Sequence, residues 1–451
     1  MRFHKNTLYS LLISSNLLFL TLSNGLFKRP ILTLYLLMFL GLSLRPALIK
    51  QMFSLCRRCY PLMIVFVWCA VTAQWSPWPK VTYYELFWQL ILFGYVTLFV
   101  LHFYAINARR VVYYTFCFWL CCTYLLVMKN DVLAGRVLEI SGAFANKNNL
   151  GPIISVFLFF YLYSVQRWNL WRVGMLLATF LLLLATLSKT SIALFVLVIV
   201  LAWLIFSWDR LLIHRFRRFY YGSGRIVAFG VSVTLVLLFV LYYRDLVDWV
   251  LTHVREEWLT GRGKLWLVML NQSYEKLFLG VGYSAVWGLG DNNLIQETEL
   301  AQYAPEWVEK LAASDGGYVD MLISIGAIGT ALFVYTICDF FMTFYTSLRT
   351  QKNVAITKLC FCVGTFVVLN NVTETKFLLG SGFSWFCFLF CYVLLKYITG
   401  KERVLSRRSL NHRSLNEQAS GHCILNNRIS NSRISNNRIL NQRILNNKVS
   451  S

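Results

Sequence analysis

Apolar residues in this chain form long unbroken blocks, not alternating or one-face patterns. About 20 apolar residues suffice for a helix to cross a bilayer. The blocks predict helices near 7–26, 30–49, 60–75, 83–106, 111–128, 150–166, 171–187, 190–208, 226–243, 319–345, 354–371 and 377–397. Polar residues gather between the blocks. The longest polar stretch, 244–317, holds eleven of the twenty acids and six of the Lys and Arg residues. Part of it also reads as helical. Thr260 is placed to cap a run holding Leu265, Trp266, Val268, Met269 and Leu270, and 294–312 is amphipathic with Pro305 interrupting it. Trp249, Trp258, Trp266, Trp287 and Trp307 predict that the stretch rests on a membrane interface. The expected fold is an all-α polytopic membrane protein with about twelve spans. Its divisions are nine helices over 1–243, a large partly helical loop over 244–317, three helices over 318–399 and a tail over 400–451.

Composition narrows the class. The 451 residues are 57% hydrophobic and 14% charged, against about a quarter charged in soluble domains. That excludes a soluble globular chain and a disordered one. The 43 Lys and Arg exceed the 20 Asp and Glu by 23. In a soluble protein this would suggest nucleic acid. Here the excess sits largely in short loops, where it reports orientation. With the N-terminus in the cytoplasm, short inner segments carry eighteen Lys and Arg and short outer loops eight. Both termini are therefore expected inside and 244–317 outside. Arg2 and Lys5 precede the first block as in a secretory signal. The stretch Ser23-Asn24-Gly25-Leu26-Phe27-Lys28-Arg29 offers no small-x-small cleavage site, so the block reads as a retained anchor. Nearly all twelve Cys lie in apolar runs, and Cys56-x-x-Cys59 has no second pair to complete a zinc site. The tail repeats Asn426-Asn427-Arg428-Ile429-Ser430 with a five-residue period. That period suits no helix face. It reads as low-complexity and disordered, with basic charge suited to anionic lipid.

Five polar clusters lie near outer helix ends. The first is Gly142-Ala143-Phe144-Ala145-Asn146-Lys147-Asn148-Asn149-Leu150-Gly151, whose amides and helix start suit an anion. The second is the turn Leu187-Ser188-Lys189-Thr190-Ser191, which sets Lys189 near membrane depth, where a charge is costly and usually functional. The third joins Leu259-Thr260-Gly261-Arg262-Gly263-Lys264-Leu265-Trp266 to Gly280-Val281-Gly282-Tyr283. The fourth is Ser314-Asp315-Gly316-Gly317-Tyr318-Val319-Asp320, running into Ile325-Gly326-Ala327-Ile328-Gly329. The fifth is Asn370-Asn371-Val372-Thr373-Glu374-Thr375.

In this order and spacing the clusters resemble the O-antigen ligase and polymerase superfamily of bacterial envelope glycan assembly, over roughly residues 140–380. The matching patterns are G-x-F-x-N-K-N, the L-S-(R/K) turn, T-G-R-x-x-x-W, G-x-G-(Y/F), a H-N-G-Y-L-D motif opening a late helix, and a (N/T)-x-x-E-(S/T) turn. Two positions depart. Lys189 stands where the turn often carries Arg, as in the exopolysaccharide polymerase branch. Asp315 and Gly316 stand where the ligase motif has His and Asn, and the one histidine of 244–317, His253, is distant in sequence.

The resemblance implies a GT-C-like glycosyltransferase of the bacterial inner membrane, using a polyprenyl-diphosphate-linked glycan as donor on the outer face. It implies a polymerase joining repeat units for O-antigen, capsule or exopolysaccharide. A ligase moving glycan onto lipid A-core or protein is the alternative, and a polytopic transporter or flippase the alternative from another class. No clear internal repeat supports the last, and His102 and Asp339 are the exceptions to a mid-membrane poor in ionisable groups. A diphosphate leaving group needs cations as its charge develops. Arg262 and Lys189 are the candidates, with Lys147 third; Arg binds as a fork and Lys as a point charge. Asp315 is either the base that takes the acceptor proton or the N-cap of the helix that follows. The motif positions imply substrate binding by Asn146, Lys147, Asn148, Trp266, Tyr318, Asp320 and Glu374. Trp266 and Tyr318 are suited to stack on sugar rings or to pack. No Asp-x-Asp pair occurs, and neither metal nor cofactor is implied. Expected partners are the lipid-linked oligosaccharide, membrane lipid, and a chain-length regulator or other glycan-assembly protein, but no nucleic acid.

Overall fold

The structure is a computed structural model that describes residues 28–43, 46–105, 108–133, 135, 139–142, 147–164, 169–207, 224–253, 262–287, 306, 308, 311, 313–349, 354–379 and 382–401. The expected helix over 7–26, Asn146, Thr260, Trp258, Trp307, most of 294–312 and the tail repeat lie outside these residues. The chain divides into a unit over 1–397, which holds all the interactions below, and a unit over 398–451.

Regular structure among the described residues is all helical: α1 (Lys28–Ser43), α2 (Pro46–Arg58), α3 (Tyr60–Thr72), α4 (Pro79–Ala105), α5 (Ala108–Val127), α6 (Lys147–Ser164), α7 (Leu170–Ala185), α8 (Lys189–Ser207), α9 (Gly224–His253), α10 (Arg262–Gln272), α11 (Gly317–Arg349), α12 (Val354–Asn370) and α13 (Phe383–Lys401). Pro79–His102, Lys189–Ser207, Gly317–Leu348 and Phe383–Lys401 are long and apolar enough to cross a membrane. The pair Leu48–Arg58 and Tyr60–Thr72, bent by 78°, makes a fifth if taken as one broken span. The single helix expected at 30–49 is two helices, because proline at 46 cannot continue one and starts another. The helix expected to end at 243 runs on to His253. α11 forms the centre. It packs against α9 on one side and α3 on another, with α12 and α10 also in contact, while α6 and α8 close on α12.

α11 is broken at Gly326, where φ is 71° and the ladder of i to i−4 bonds is interrupted. Gly326 is about 14 Å along the helix at 1.5 Å per residue, deep for backbone groups without partners. The segment after α10 supplies those partners. Val281 N–H donates to Ile323 O (2.8 Å) and Gly282 N–H to Ser324 O (2.9 Å). The Trp68 indole donates to Ile325 O (2.8 Å), and Ala327 N–H donates to Leu277 O (2.8 Å). Backbone meets backbone here only because two glycines face each other. A β-carbon on Gly280 would collide with Ser324 O, and one on Gly326 with Gly280 N. The G-x-G-Y stretch, expected in an outer loop, is therefore sunk into the helical body.

Its tyrosine is a hub. Tyr283 N–H donates to Thr72 Oγ1 (3.0 Å), and Tyr283 O accepts from Thr82 Oγ1 (2.8 Å). The Tyr283 hydroxyl donates to Leu378 O (2.8 Å) and accepts from Gln89 Nε2 (2.9 Å), and Gln89 Oε1 accepts from the Trp385 indole (2.8 Å). One residue thus ties α3, α4 and α13 together. Farther along α11, buried Asp339 meets Lys396 of α13 at 2.5 Å and accepts from the Tyr392 hydroxyl at 2.6 Å. Each charge offsets part of the cost of burying the other in an apolar surround. His102 is also buried, with Nδ1 2.7 Å from Leu98 O.

Two outcomes test this account. Gly326→Ala forces a left-handed φ on alanine, a strain of about 1–3 kcal/mol, and drives its methyl into the 278–280 backbone. Membrane levels and melting temperature should both fall sharply, and a wild-type melting curve would refute the close pairing. Asp339→Asn removes the carboxylate that faces the Lys396 ammonium and should cost about 3–5 kcal/mol. Asp339→Asn with Lys396→Met should recover most of that loss in the same thermal assay.

Candidate active site

Residues of all five sequence clusters meet at the first turns of α6, α8, α10 and α11 and in the turn after α12. Arg262, the first residue of α10, is their joint. Its Nη1 donates to Thr373 O (2.5 Å), its Nη2 donates to Glu374 Oε1 (3.0 Å), and Asp315 Oδ2 lies 3.5 Å from the same Nη2. Arg262 and Glu374 are 14% and 8% exposed at the side chain, whereas Asp315 is 52% exposed. The Arg262–Glu374 pair is thus withdrawn from water, and Asp315 is a looser, accessible neighbour. The other oxygen of Glu374, Oε2, faces Lys376 Nζ at 3.5 Å. Lys376 Nζ also reaches Asn149 Oδ1 at 3.4 Å.

The 313–320 segment fixes where Asp315 stands relative to α11. Asp315 stands before the helix with φ 54°, a conformation few non-glycine residues adopt. The first amide of α11 is satisfied elsewhere, since Gly317 N–H donates to Asn371 O (3.0 Å) and Gly316 O accepts from Asp320 N–H (2.9 Å). The Asp315 carboxylate points to Arg262 instead. Gly316 lies under the Trp266 indole, where a β-carbon would come within 2.6 Å of Nε1. An asparagine there, as in the ligase motif, has no room. Gly317 is crowded in the same way by the Asn371 carboxamide.

Asp320, expected to bind substrate, is buried and engaged within the protein. Its Oδ1 accepts from the Trp287 indole (2.9 Å) and Ser314 N–H (3.2 Å), and its Oδ2 from the Thr375 hydroxyl. Trp266 donates to Ser314 O (2.9 Å). Trp266 and Trp287 therefore turn inward as braces, in place of the interface contact expected of them, because each indole N–H finds an acceptor inside. Trp249 is exposed and stacked on His253 at the end of α9. The Tyr318 hydroxyl donates to Val368 O (2.9 Å).

The α6 side of the site has a different arrangement from the expected one. Lys147 pairs with Glu139 at 2.6 Å, and this bond from the ammonium lowers the Glu139 carboxyl below its ordinary range. Asn148 Oδ1 accepts from Ser188 Oγ at 3.5 Å, which links α6 to the turn carrying Lys189. Lys189 itself is exposed at the first position of α8. Gly151 allows this approach; its β-carbon would meet Ser188 and Ser191. A polar seam thus runs from the Lys189 turn through Asn148, Asn149, Lys376 and Glu374 to Arg262 and Asp315. Lys376 follows the fifth cluster directly, and no motif position marks it. The only signal in the sequence is a cation two residues after an acid in an outer turn.

An apolar cavity of about 340 Å³ adjoins this seam. Leu235 and Phe239 of α9, Trp266 of α10, Tyr318 and Leu322 of α11, and Val372 line it with others. Gly263 and Val372, both at its wall, neighbour the bonded pair Arg262 and Thr373 in the chain. A charged, hydrogen-bonding patch therefore abuts a carbon-lined hollow.

The Asp320 braces give a prediction. Thr375→Val removes one donor and Asp320→Asn sets an NH₂ group against donors. Leaving such buried groups unsatisfied costs about 1–3 kcal/mol. Asp320→Asn should lower the melting temperature more than Thr375→Val, because it frees both the 313–316 and 371–377 segments. A wild-type melting curve for Asp320→Asn would refute the bracing role.

The comparisons with known proteins bear on this arrangement. No curated protein matches the chain. A family model described as O-Antigen ligase matches residues 174–334, which run from α7 through the first half of α11 and include Lys189, Arg262 and Asp315. Glycan transfer of the ligase or polymerase type is the activity class that goes with it. Over these residues, which carry the motifs brought together around Arg262, the chain is similar to the O-Antigen ligase family.

Proposed function

We propose that the chain is a polymerase that transfers a glycan repeat unit from a polyprenyl-diphosphate carrier to another lipid-linked glycan at the outer face of the bacterial inner membrane. The observation that carries this reading is the guanidinium of Arg262 set beside the apolar cavity. A lipid diphosphate needs both at once, a cation for its head and carbon for the start of its tail. The cavity's volume is at the low end of the roughly 300–1,000 Å³ typical of small-ligand sites.

In this reading the acceptor hydroxyl oxygen forms a bond to the anomeric carbon of the donor glycan. The bond from that carbon to the diphosphate oxygen breaks, and its electron pair leaves with the diphosphate. The hydroxyl proton passes to Asp315, which is exposed enough to meet an acceptor. Arg262 stabilises the charge growing on the diphosphate, and its low exposure makes that interaction strong. Lys189, at the N-terminus of α8, adds positive potential. Glu374 holds the guanidinium in place. The eighteen-to-eight distribution of Lys and Arg supports an outer position for this site and inner positions for both termini.

Lys189 and Asp315, where ligases of the superfamily carry Arg and His, favour a polymerase. A ligase delivering glycan to lipid A-core or protein is the second reading, favoured by the description of the matched family. A carrier has less support, since Asp339 is already held by Lys396 and Tyr392.

Purified variants with a lipid-linked repeat unit test the proposal. Arg262→Ala should lower transfer about 100- to 1000-fold, and Arg262→Lys should rescue poorly because the fork is lost. Asp315→Asn should fold normally and lose about 100- to 10,000-fold. A ladder of lengthening products identifies a polymerase, and whole-glycan addition to a second acceptor identifies a ligase. Near-wild-type transfer by folded Arg262→Ala would remove the diphosphate site from this position.

A further inference from the structure

Lys376 is the one cation of the seam that motif matching does not reach. It closes the 371–377 turn, and its side chain is 17% exposed. That turn is stiff, because Asn371 Oδ1 accepts from both Lys376 N–H and Phe377 N–H at 2.9 Å. The main chain from which the ammonium extends is therefore fixed. Its two oxygen neighbours, Glu374 Oε2 and Asn149 Oδ1, are at 3.5 and 3.4 Å. Charge-assisted bonds from an ammonium to oxygen shorten to about 2.7–2.9 Å when satisfied. Lys376 is thus positioned but weakly bound.

Three further observations at the same place point to an anion. Glu374 has one cation on each oxygen, Arg262 on Oε1 and Lys376 on Oε2. These two cations share one close counter-ion, and Asp315 lies only at 3.5 Å from the first. The Asn371 Nδ2 donor, in the same turn, is buried without an acceptor. The first turns of α6 and α11, whose N-termini carry partial positive charge, both reach the cluster through Asn149 and Gly317.

We propose that Lys376 is a second anion-binding residue, taking one phosphoryl group of a lipid-linked diphosphate while Arg262 takes the other. The assignment rests on the diphosphate-donor reading above. Glu374 keeps the two cations one carboxylate apart and prevents their mutual repulsion from opening the turn. Loss of Lys376 leaves Glu374 paired with Arg262, so a neutral variant keeps its fold.

The test uses the full-length protein in detergent with farnesyl diphosphate and farnesyl monophosphate as probes, so that the lipid is constant and one phosphoryl group varies. Wild type should bind the diphosphate about 10- to 100-fold more tightly than the monophosphate, the worth of one charge-assisted contact. Lys376→Met should bring the two affinities together while leaving the monophosphate's almost unchanged. Lys376→Arg should keep most of the gap. A Lys376→Met variant that retains the gap, or weakens both lipids equally, overturns the assignment. If Arg262→Ala meanwhile loses affinity for both lipids, the donor reading stands without Lys376. If wild type shows no preference for the diphosphate, the donor reading falls and takes this assignment with it.

Discussion

A charge withdrawn from water must have its partner in a fixed place, and one carboxylate sets that place here. Glu374 belongs to the turn after α12, and Arg262 begins α10, 112 residues earlier. With both side chains mostly out of solvent, neither can be left alone without a desolvation cost of several kcal/mol. The pair therefore fixes where α10 stands on the helical body, and with it Trp266, the wall of the cavity and the bond to Ser314 O that shapes the Asp315 segment. The second oxygen of Glu374 does the same for Lys376 and, through Asn149, for α6. Distances between elements that share no local sequence are thus set by the geometry of one side chain.

Asp320 plays the matching part on the neutral side of the site. Three donors from three segments converge on it. Without an acceptor at that point, the Trp287 indole and the Ser314 amide would be buried unsatisfied. Charge pairing at Glu374 holds Arg262, and donor convergence at Asp320 holds Ser314, the residue before Asp315. Together they hold a half-exposed carboxylate in a strained left-handed conformation next to a guanidinium.

Much of this was legible in the sequence, and what was not has physical reasons. Long apolar blocks announce helices because no other structure hides so many backbone groups in lipid; each expected helix within the described residues has a helix at its place. Local sequence also marks Pro46, but the apolar block running across it hid the break. Arg262, Glu374 and Asp315 were found as motif residues, and they do come together. The inward turn of Trp266 and Trp287 was not legible, since an indole on a polar stretch reads as an interface anchor until its acceptor is known. Nor was the burial of Gly280 to Tyr283, which depends on a gap opened by Gly326 about 45 residues downstream. Lys376 was one charge among many in the outer loops. Only its neighbours Asn149 and Glu374, remote or adjacent in sequence alike, distinguish it.

The break at Gly326 also has a mechanical meaning. A continuous helix behaves as a stiff rod, and a push at one end reaches the other. α11 passes its hydrogen bonds at mid-length to the segment 277–282, so its two halves bear on different supports. The C-terminal half is clamped to α13 through Asp339 and Lys396. The N-terminal half, with Tyr318 and Asp320, leans on α10, α12, Trp287 and the 371–377 turn. A shift of the N-terminal half is therefore absorbed at the joint, and the C-terminal half keeps its place against α13.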